Sequence, residues 1–142
     1  MKTSLLLAAP LLLACLTTAG SSSQQLIGAL QCEYLVNPIG IDEKSPRLCW
    51  QMLGSRPGAR QQGFQIFVAS DAEKAAAAIG DVWDSGKQSG DLVPVVYQGP
   101  TLKPFTRYHW AVKIQDETGA WSNLSPVAFF ETGMMDSGNW KG

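Results

Sequence analysis

The chain has 142 residues, 11 basic and 12 acidic, and only 16% are charged, against the roughly 25% usual for soluble domains. That length leaves room for one domain, and the absence of a basic stripe argues against a nucleic-acid partner. Three Cys and one His without CxxC or HxxxH spacing argue against a metal site, and no motif calls for a cofactor.

Residues 1–19 read as a signal peptide. Lys2 supplies a short positive region, and the apolar run from Leu5 to Leu13 is too short to span a bilayer. Two cleavage sites compete. Leu12-Leu13-Ala14-Cys15 resembles a lipobox, which makes Cys15 a lipidation candidate. Thr17-Thr18-Ala19 is an ordinary small-x-small site. Residues 20–25, Gly-Ser-Ser-Ser-Gln-Gln, read as a flexible tether. Export to the cell envelope (outer membrane or periplasm) or secretion follows. The membrane is then a partner only through the lipid anchor. Loss of Lys2 with the leader makes the net charge one unit more negative. Export also places Cys32 and Cys49 where a disulfide is permitted. Either they bridge neighbouring strands, or they stay free, half-buried thiols.

Residues 26–133 read as short strands between turn signals, an all-β pattern. The first strand is expected over Leu26–Leu35, broken by Asn37-Pro38-Ile39-Gly40. The second runs over Pro46–Leu53, with Leu48, Trp50 and Met52 on one face, and a loop over 54–58 follows. Gln62–Ser70 is the clearest: Phe64, Ile66 and Val68 alternate with Gln65, Phe67 and Ala69, implying one buried and one exposed face. Over Asp71–Ile79 the alanines favour a short helix, capped by Asp71 and ended by Gly80. Strands over Val82–Lys87 and Val93–Gln98 come next. The longest, Arg107–Asp116, puts Tyr108, Trp110, Val112 and Ile114 on one face and His109 on the other. Glu117-Thr118-Gly119 turns the chain into a last strand over Val127–Thr132. Phe129 and Phe130 are neighbours there and point opposite ways. One enters the core and the other packs an edge or meets a second domain. About seven strands over this length make a two-sheet β-sandwich with one inserted helix.

Residues 134–142 hold Met134, Met135 and Trp140. They read as the start of a linker, truncated within an inter-domain connection. With Phe129 or Phe130, they form the candidate inter-domain contact.

Catalytic chemistry finds little support. Glycoside hydrolysis needs two carboxylates facing across a cleft. Here Asp42, Glu43, Asp71, Asp81, Asp84, Asp91, Asp116 and Glu117 sit beside turn residues, where local backbone capping explains them. His109 has no orienting partner or nucleophile in view and reads as a solvated-face residue. Trp50 and Trp110 have core periodicity. Trp83 and Trp121 adjoin turns and are the candidates for stacking on carbohydrate.

Three segments resemble fibronectin type III domains: Trp50 on the second strand; Leu102-Lys103-Pro104-Phe105-Thr106-Arg107-Tyr108 before the long strand; and the closing stretch Gly119–Thr132 with Trp121, Ser122, Ser125 and Phe130. The fold class this implies is an all-β, fibronectin type III-like (immunoglobulin-like) sandwich. In it, Tyr108 gives its ring to the core and its hydroxyl to nearby backbone. A narrower resemblance is to the opening of bacterial α-L-rhamnosidases of glycoside hydrolase family 78. It is carried by Asn37-Pro38-Ile39-Gly40-Ile41-Asp42, Pro46-Arg47-Leu48-Cys49-Trp50, Gln65-Ile66-Phe67-Val68-Ala69-Ser70, Trp83-Asp84-Ser85-Gly86-Lys87, Tyr108-His109-Trp110 and Phe130-Glu131-Thr132-Gly133-Met134-Met135. Cys49 departs from that family's pattern. The resemblance stops before the (α/α)6 barrel that carries the family's acidic catalytic residues, so it transfers none. It implies a non-catalytic N-terminal module whose partners are the adjacent domains of a rhamnosidase acting on plant glycosides. A free-standing module binding carbohydrate or protein is the alternative.

Overall fold

The computed structural model describes residues 26–54, 56–136 and 138. The expected signal peptide, the tether, Cys15 and Trp140 lie outside the described residues. Nine strands and one helix are found among those described: β1 (Ile27–Cys32), β2 (Ile39–Ile41), β3 (Arg47–Met52), β4 (Gln61–Ala69), α1 (Ala72–Ala76), β5 (Trp83–Asp84), β6 (Gln88–Ser89), β7 (Val95–Val96), β8 (Arg107–Asp116) and β9 (Ala128–Thr132). They make two sheets. One has the order β1-β3-β7. The other has the order β2-β9-β8-β4-β5, with β6 also on β4. Apart from the parallel β2–β9 pair, the ladders are antiparallel. This is an immunoglobulin-like, fibronectin type III-like sandwich.

The core lies between the sheets. Leu48 and Trp50 of β3 meet Phe64, Ile66 and Val68 of β4 and Tyr108, Trp110, Val112 and Ile114 of β8, with Phe130 of β9. These are the inward-facing positions of alternating strands. Trp50 and Phe64 pack at 5.6 Å between ring centroids, and Tyr108 stacks on Phe130 at 5.4 Å. Such pairs add to the free energy of burial itself. The Trp50 indole N–H donates to Gln61 Oε1 at 2.8 Å, which satisfies its polar edge.

Three expectations change. The 37–40 break contains β2. Asn37 Oδ1 accepts from the Phe129 N–H at 3.0 Å and the Pro38 carbonyl accepts from the Glu131 N–H at 2.9 Å. This segment pairs with a strand some 90 residues away, so nothing in its local sequence signals a strand.

The helix is shorter than expected. Asp71 Oδ1 caps it by accepting from the Lys74 N–H at 2.8 Å. It ends at Ala78 (φ 57°), with the Ile79 N–H bonded to the Lys74 carbonyl at 2.9 Å. That is a Schellman closure with Ala in the place usually taken by Gly. Gly80 serves another purpose: a Cβ there would strike the Trp83 carbonyl.

The outer face of β4 is also covered. Phe67, Ala69 and Ala111 are buried but lie outside the core cluster, and α1 rests against β4 and β8 with Ala75 buried.

Of the two alternatives for the cysteines the structure has the free thiols: Cys32 and Cys49 do not bridge. Cys32 pairs across the ladder with Leu48 on the inner face, whereas Cys49 pairs with Gln31 on the outer face. Their side chains leave opposite sides of the sheet, and both thiols are free.

Candidate functional site

β8 outruns β9. Their ladder ends at Trp110–Ala128, which leaves the farther half of β8 paired with β4 on one side and without a strand on the other. Two serines complete it. Ser125 Oγ accepts from the Val112 N–H at 2.9 Å and Ser122 Oγ from the Ile114 N–H at 3.0 Å. Their own N–H groups return bonds to the Val112 and Ile114 carbonyls. Buried backbone groups need such partners, so this closing segment is held by serine hydroxyls and backbone N–H groups together rather than by a continuous ladder.

The other end of β9 carries the chain out of the sandwich, and two segments, 41–42 and 103–106, tie it down at three residues. The Thr132 hydroxyl, buried, donates to the Lys103 carbonyl at 2.5 Å and accepts from the Thr106 N–H at 2.9 Å. Gly133 donates to the Ile41 carbonyl at 2.7 Å, and its own carbonyl accepts from the Phe105 N–H at 2.9 Å. The Met135 N–H donates to Asp42 Oδ1 at 2.9 Å. A Cβ at Gly133 would lie 2.7 Å from that carboxylate oxygen, so only glycine fits this crossing.

The expected contact residues divide. Phe130 is fully enclosed and is the core phenylalanine of the pair. Phe129 is half-buried on the outer face, with the Arg107 guanidinium 4.2 Å above its ring and His109 beside it. Met135 joins the core cluster and Met134 is half-buried. The large apolar groups exposed near the exit are instead Ile39 (68% exposed) and Phe105 (69%), which the sequence reading did not single out. Ile39 is paired with Glu131, and Phe105 is bonded to Gly133. A hydrophobic residue after a turn proline at Phe105, and another at the edge of a Pro-Ile-Gly segment, were the available signals.

Trp83 packs edge-to-face on Tyr97 at 5.0 Å and lies against the core. Trp121 carries the Lys87 ammonium over its ring at 5.3 Å. Each candidate sugar platform is thus already engaged within the domain.

The carboxylates perform structural tasks. Asp81 accepts from the Ser70 N–H and hydroxyl, at 2.9 and 2.6 Å, and from the Lys74 ammonium at 3.1 Å. Those bonds, the Ser70 hydroxyl's first, hold its pKa down at about 2. Glu117 is held at about 2, first by Arg56. Glu33 is lowered by its bond to Arg47, and Asp116 by the Thr118 hydroxyl. A general acid needs the opposite shift, upward. Asp84 and Asp71 accept from local backbone N–H groups, and Asp42 from that of Met135. His109 lies on the outer face, as its place in the strand requires, but it is partly enclosed, and its Nδ1 is buried without a hydrogen-bond partner. Burial, then the Arg107 cation, pushes its pKa below 6.5. Among the described residues no group of three or more His, Cys, Asp or Glu is arranged to hold a metal ion, and no helix is long and apolar enough to cross a membrane.

The geometry is that of a scaffold with an anchored exit. Known proteins similar to the chain give it context. The family model of the Rha78A-like N-terminal immunoglobulin domain matches residues 27–136. An α-L-rhamnosidase of Streptomyces avermitilis is 47% identical over 109 residues, 76% of this chain and 10% of that protein. One of Formosa agariphila is 35% identical over 146 residues, 99% of this chain and 15% of that protein. The crystal structure of the Streptomyces avermitilis α-L-rhamnosidase complexed with L-rhamnose superposes with a TM-score of 0.76 at 42% identity, over 81% of this chain and 11% of that one. The chain therefore spans only about a tenth to a seventh of the length of these curated relatives.

Proposed function

The chain belongs to the Rha78A-like N-terminal immunoglobulin domain family, and on that basis we propose that it is the non-catalytic N-terminal accessory module of a longer α-L-rhamnosidase. The observation that carries this reading is the coverage: most of the chain matches proteins that are many times longer, and it matches only the immunoglobulin domain at their N-terminal end. In this reading the parent enzyme removes terminal L-rhamnose from plant glycosides or polysaccharides, with its reacting carboxylates elsewhere in the longer polypeptide. The module contributes a stiff body whose exit strand is fixed at Thr132, Gly133 and Met135, so that the next domain leaves it at a set angle.

Export belongs to the same proposal. The apolar run after Lys2 supports a cleaved leader, and Leu12-Leu13-Ala14-Cys15 supports attachment of lipid at Cys15. The Ser/Gln segment 20–25 then serves as the spacer between the envelope and the sandwich.

An antibody raised against the domain tests this in the native cells. The expected result is a polypeptide several times longer than 142 residues that hydrolyses an aryl α-L-rhamnoside, which the 142-residue chain alone does not. A native product ending at Gly142, or hydrolysis by the short chain, overturns the reading. Fatty-acid labelling that is lost in Cys15→Ser supports the anchor; labelling of neither protein refutes it.

A further inference from the structure

Exposed large apolar side chains fall mainly on two opposite edges of the sandwich. One group, Leu92, Val93 and Val96, flanks β7. The other follows the β9 edge: Tyr34, Leu35, Val36 and Ile39, with Phe105 at its end. β2 and β7 are outermost in their sheets. β1 faces β8 and β9, while Val95 of β7 borders a cleft with Phe64 and Trp83 on the far side. The two groups therefore occupy different edges, although Arg47, which lies on the Tyr34 ring, is also the register partner of Val96.

The β9-edge group is built in a way the other is not. Tyr34 (φ 64°) and Phe105 (φ 49°) both hold the left-handed conformation, which bulky residues rarely adopt and which glycine would take at no cost. Backbone strain of this kind persists where the side chain's position matters. The Tyr34 turn is held from behind by Arg47, which pairs with Glu33 at 2.6 Å and lies 5.0 Å from the Tyr34 ring centroid. From there Asn37, Pro38 and Ile39 run beside β9 in register with Phe129 and Glu131, and β9 leads out past Phe105. The Arg47–Glu33 and Arg107–Glu131 ion pairs supply a polar border to an apolar centre, the ordinary anatomy of an interface.

We infer that this stripe, Tyr34, Leu35, Val36, Ile39 and Phe105, is the docking face for the domain that follows in the same polypeptide, and that the β7 edge stays open. The inference rests on the accessory-module reading. The occupant is chosen because the chain leaves the sandwich beside the stripe, between Ile41 and Phe105, so the segment that follows is held next to it at high effective concentration.

Hydroxyl-radical footprinting with mass spectrometry compares the 142-residue chain with the native longer polypeptide. Oxidation of Tyr34, Leu35, Ile39 and Phe105 is expected to fall several-fold in the longer polypeptide, with that of Leu92, 76% exposed on the other edge, unchanged. Ile39→Asp is expected to leave the short chain's melting temperature nearly unaltered and to uncouple this domain's unfolding from that of its neighbour in the longer one. Protection at Leu92 instead, or no protection of the four, sinks this inference and leaves the accessory reading standing. Protection that appears in the short chain as its concentration rises, with none added in the longer polypeptide, identifies a second copy as the occupant and likewise overturns it. If no longer polypeptide exists, the accessory reading fails, and this inference with it.

Discussion

The Tyr108 hydroxyl accepts a hydrogen bond from the Lys103 backbone N–H at 2.9 Å, five residues upstream. The ring lies in the core against Phe130. The bond fixes the loop carrying Pro104 and Phe105 to the start of β8, and Lys103 is also where the Thr132 hydroxyl donates. One tyrosine thus ties the loop at the chain exit to the core. Tyr108→Phe keeps the packing and strips the Lys103 N–H of its partner. Chemical denaturation should show a loss of about 1–3 kcal/mol. A loss below the error of the measurement would mean that water replaces the hydroxyl without penalty.

Thr132→Val is nearly isosteric but removes the hydrogen bonds of a buried hydroxyl, leaving the Thr106 N–H and the Lys103 and Thr106 carbonyls without it. A cost of about 1–3 kcal/mol is expected. Amide exchange at Thr106 should accelerate more than exchange in β4, because the damage is local to the exit.

The two thiols should behave differently. Burial pushes the Cys32 thiol up to about 12, and Cys49, on the outer face, is raised less far, again chiefly by burial. Since the thiolate is the nucleophile, alkylation of the native chain at mildly alkaline pH should modify Cys49 slowly and Cys32 only after unfolding. The intact mass should not change on reduction. A disulfide-linked peptide containing both would contradict the two-face geometry.

Two pH windows follow from the titrating groups. His109 is held below 6.5 in the folded state, so the unfolded chain binds more protons as pH falls past that value. Its contribution is complete above 6.5 and declines as pH drops through 6.5 toward the folded pKa. His109→Gln should flatten stability over that interval. Nuclear magnetic resonance titration of its ring should give a midpoint below 6.5.

Asp81 acts lower. Its folded pKa of about 2, against an ordinary 3.8, gives stability that is full above 3.8 and is lost as pH falls through about 2. Asp81→Asn should cost no more than about 1 kcal/mol at neutral pH, since the group stands largely in solvent. The difference from wild type should vanish in strong acid. Glu33, Asp116 and Glu117 are shifted in the same direction, so only that difference isolates Asp81.

Much of the sandwich was determined by the sequence itself. Strict alternation over Phe64–Val68 and Tyr108–Ile114 placed two central strands and their inward faces, because a strand's side-chain period is local and fixed. The segment Leu102–Tyr108 announced the tyrosine's double role, and Asp71 announced the helix start. Tertiary structure decided what depends on distant partners. β2 exists only because β9 lies beside it, and the outer face of β4, where Phe67 and Ala69 are buried, belongs to a strand that α1 packs against. Which of Phe129 and Phe130 enters the core followed from the register of β9 on β8, which pairs Phe130 with Tyr108 on the inner face. The exposed edge of Tyr34, Ile39 and Phe105 was not legible for the same reason: exposure reflects what the rest of the chain fails to cover, and no window of neighbouring residues encodes it.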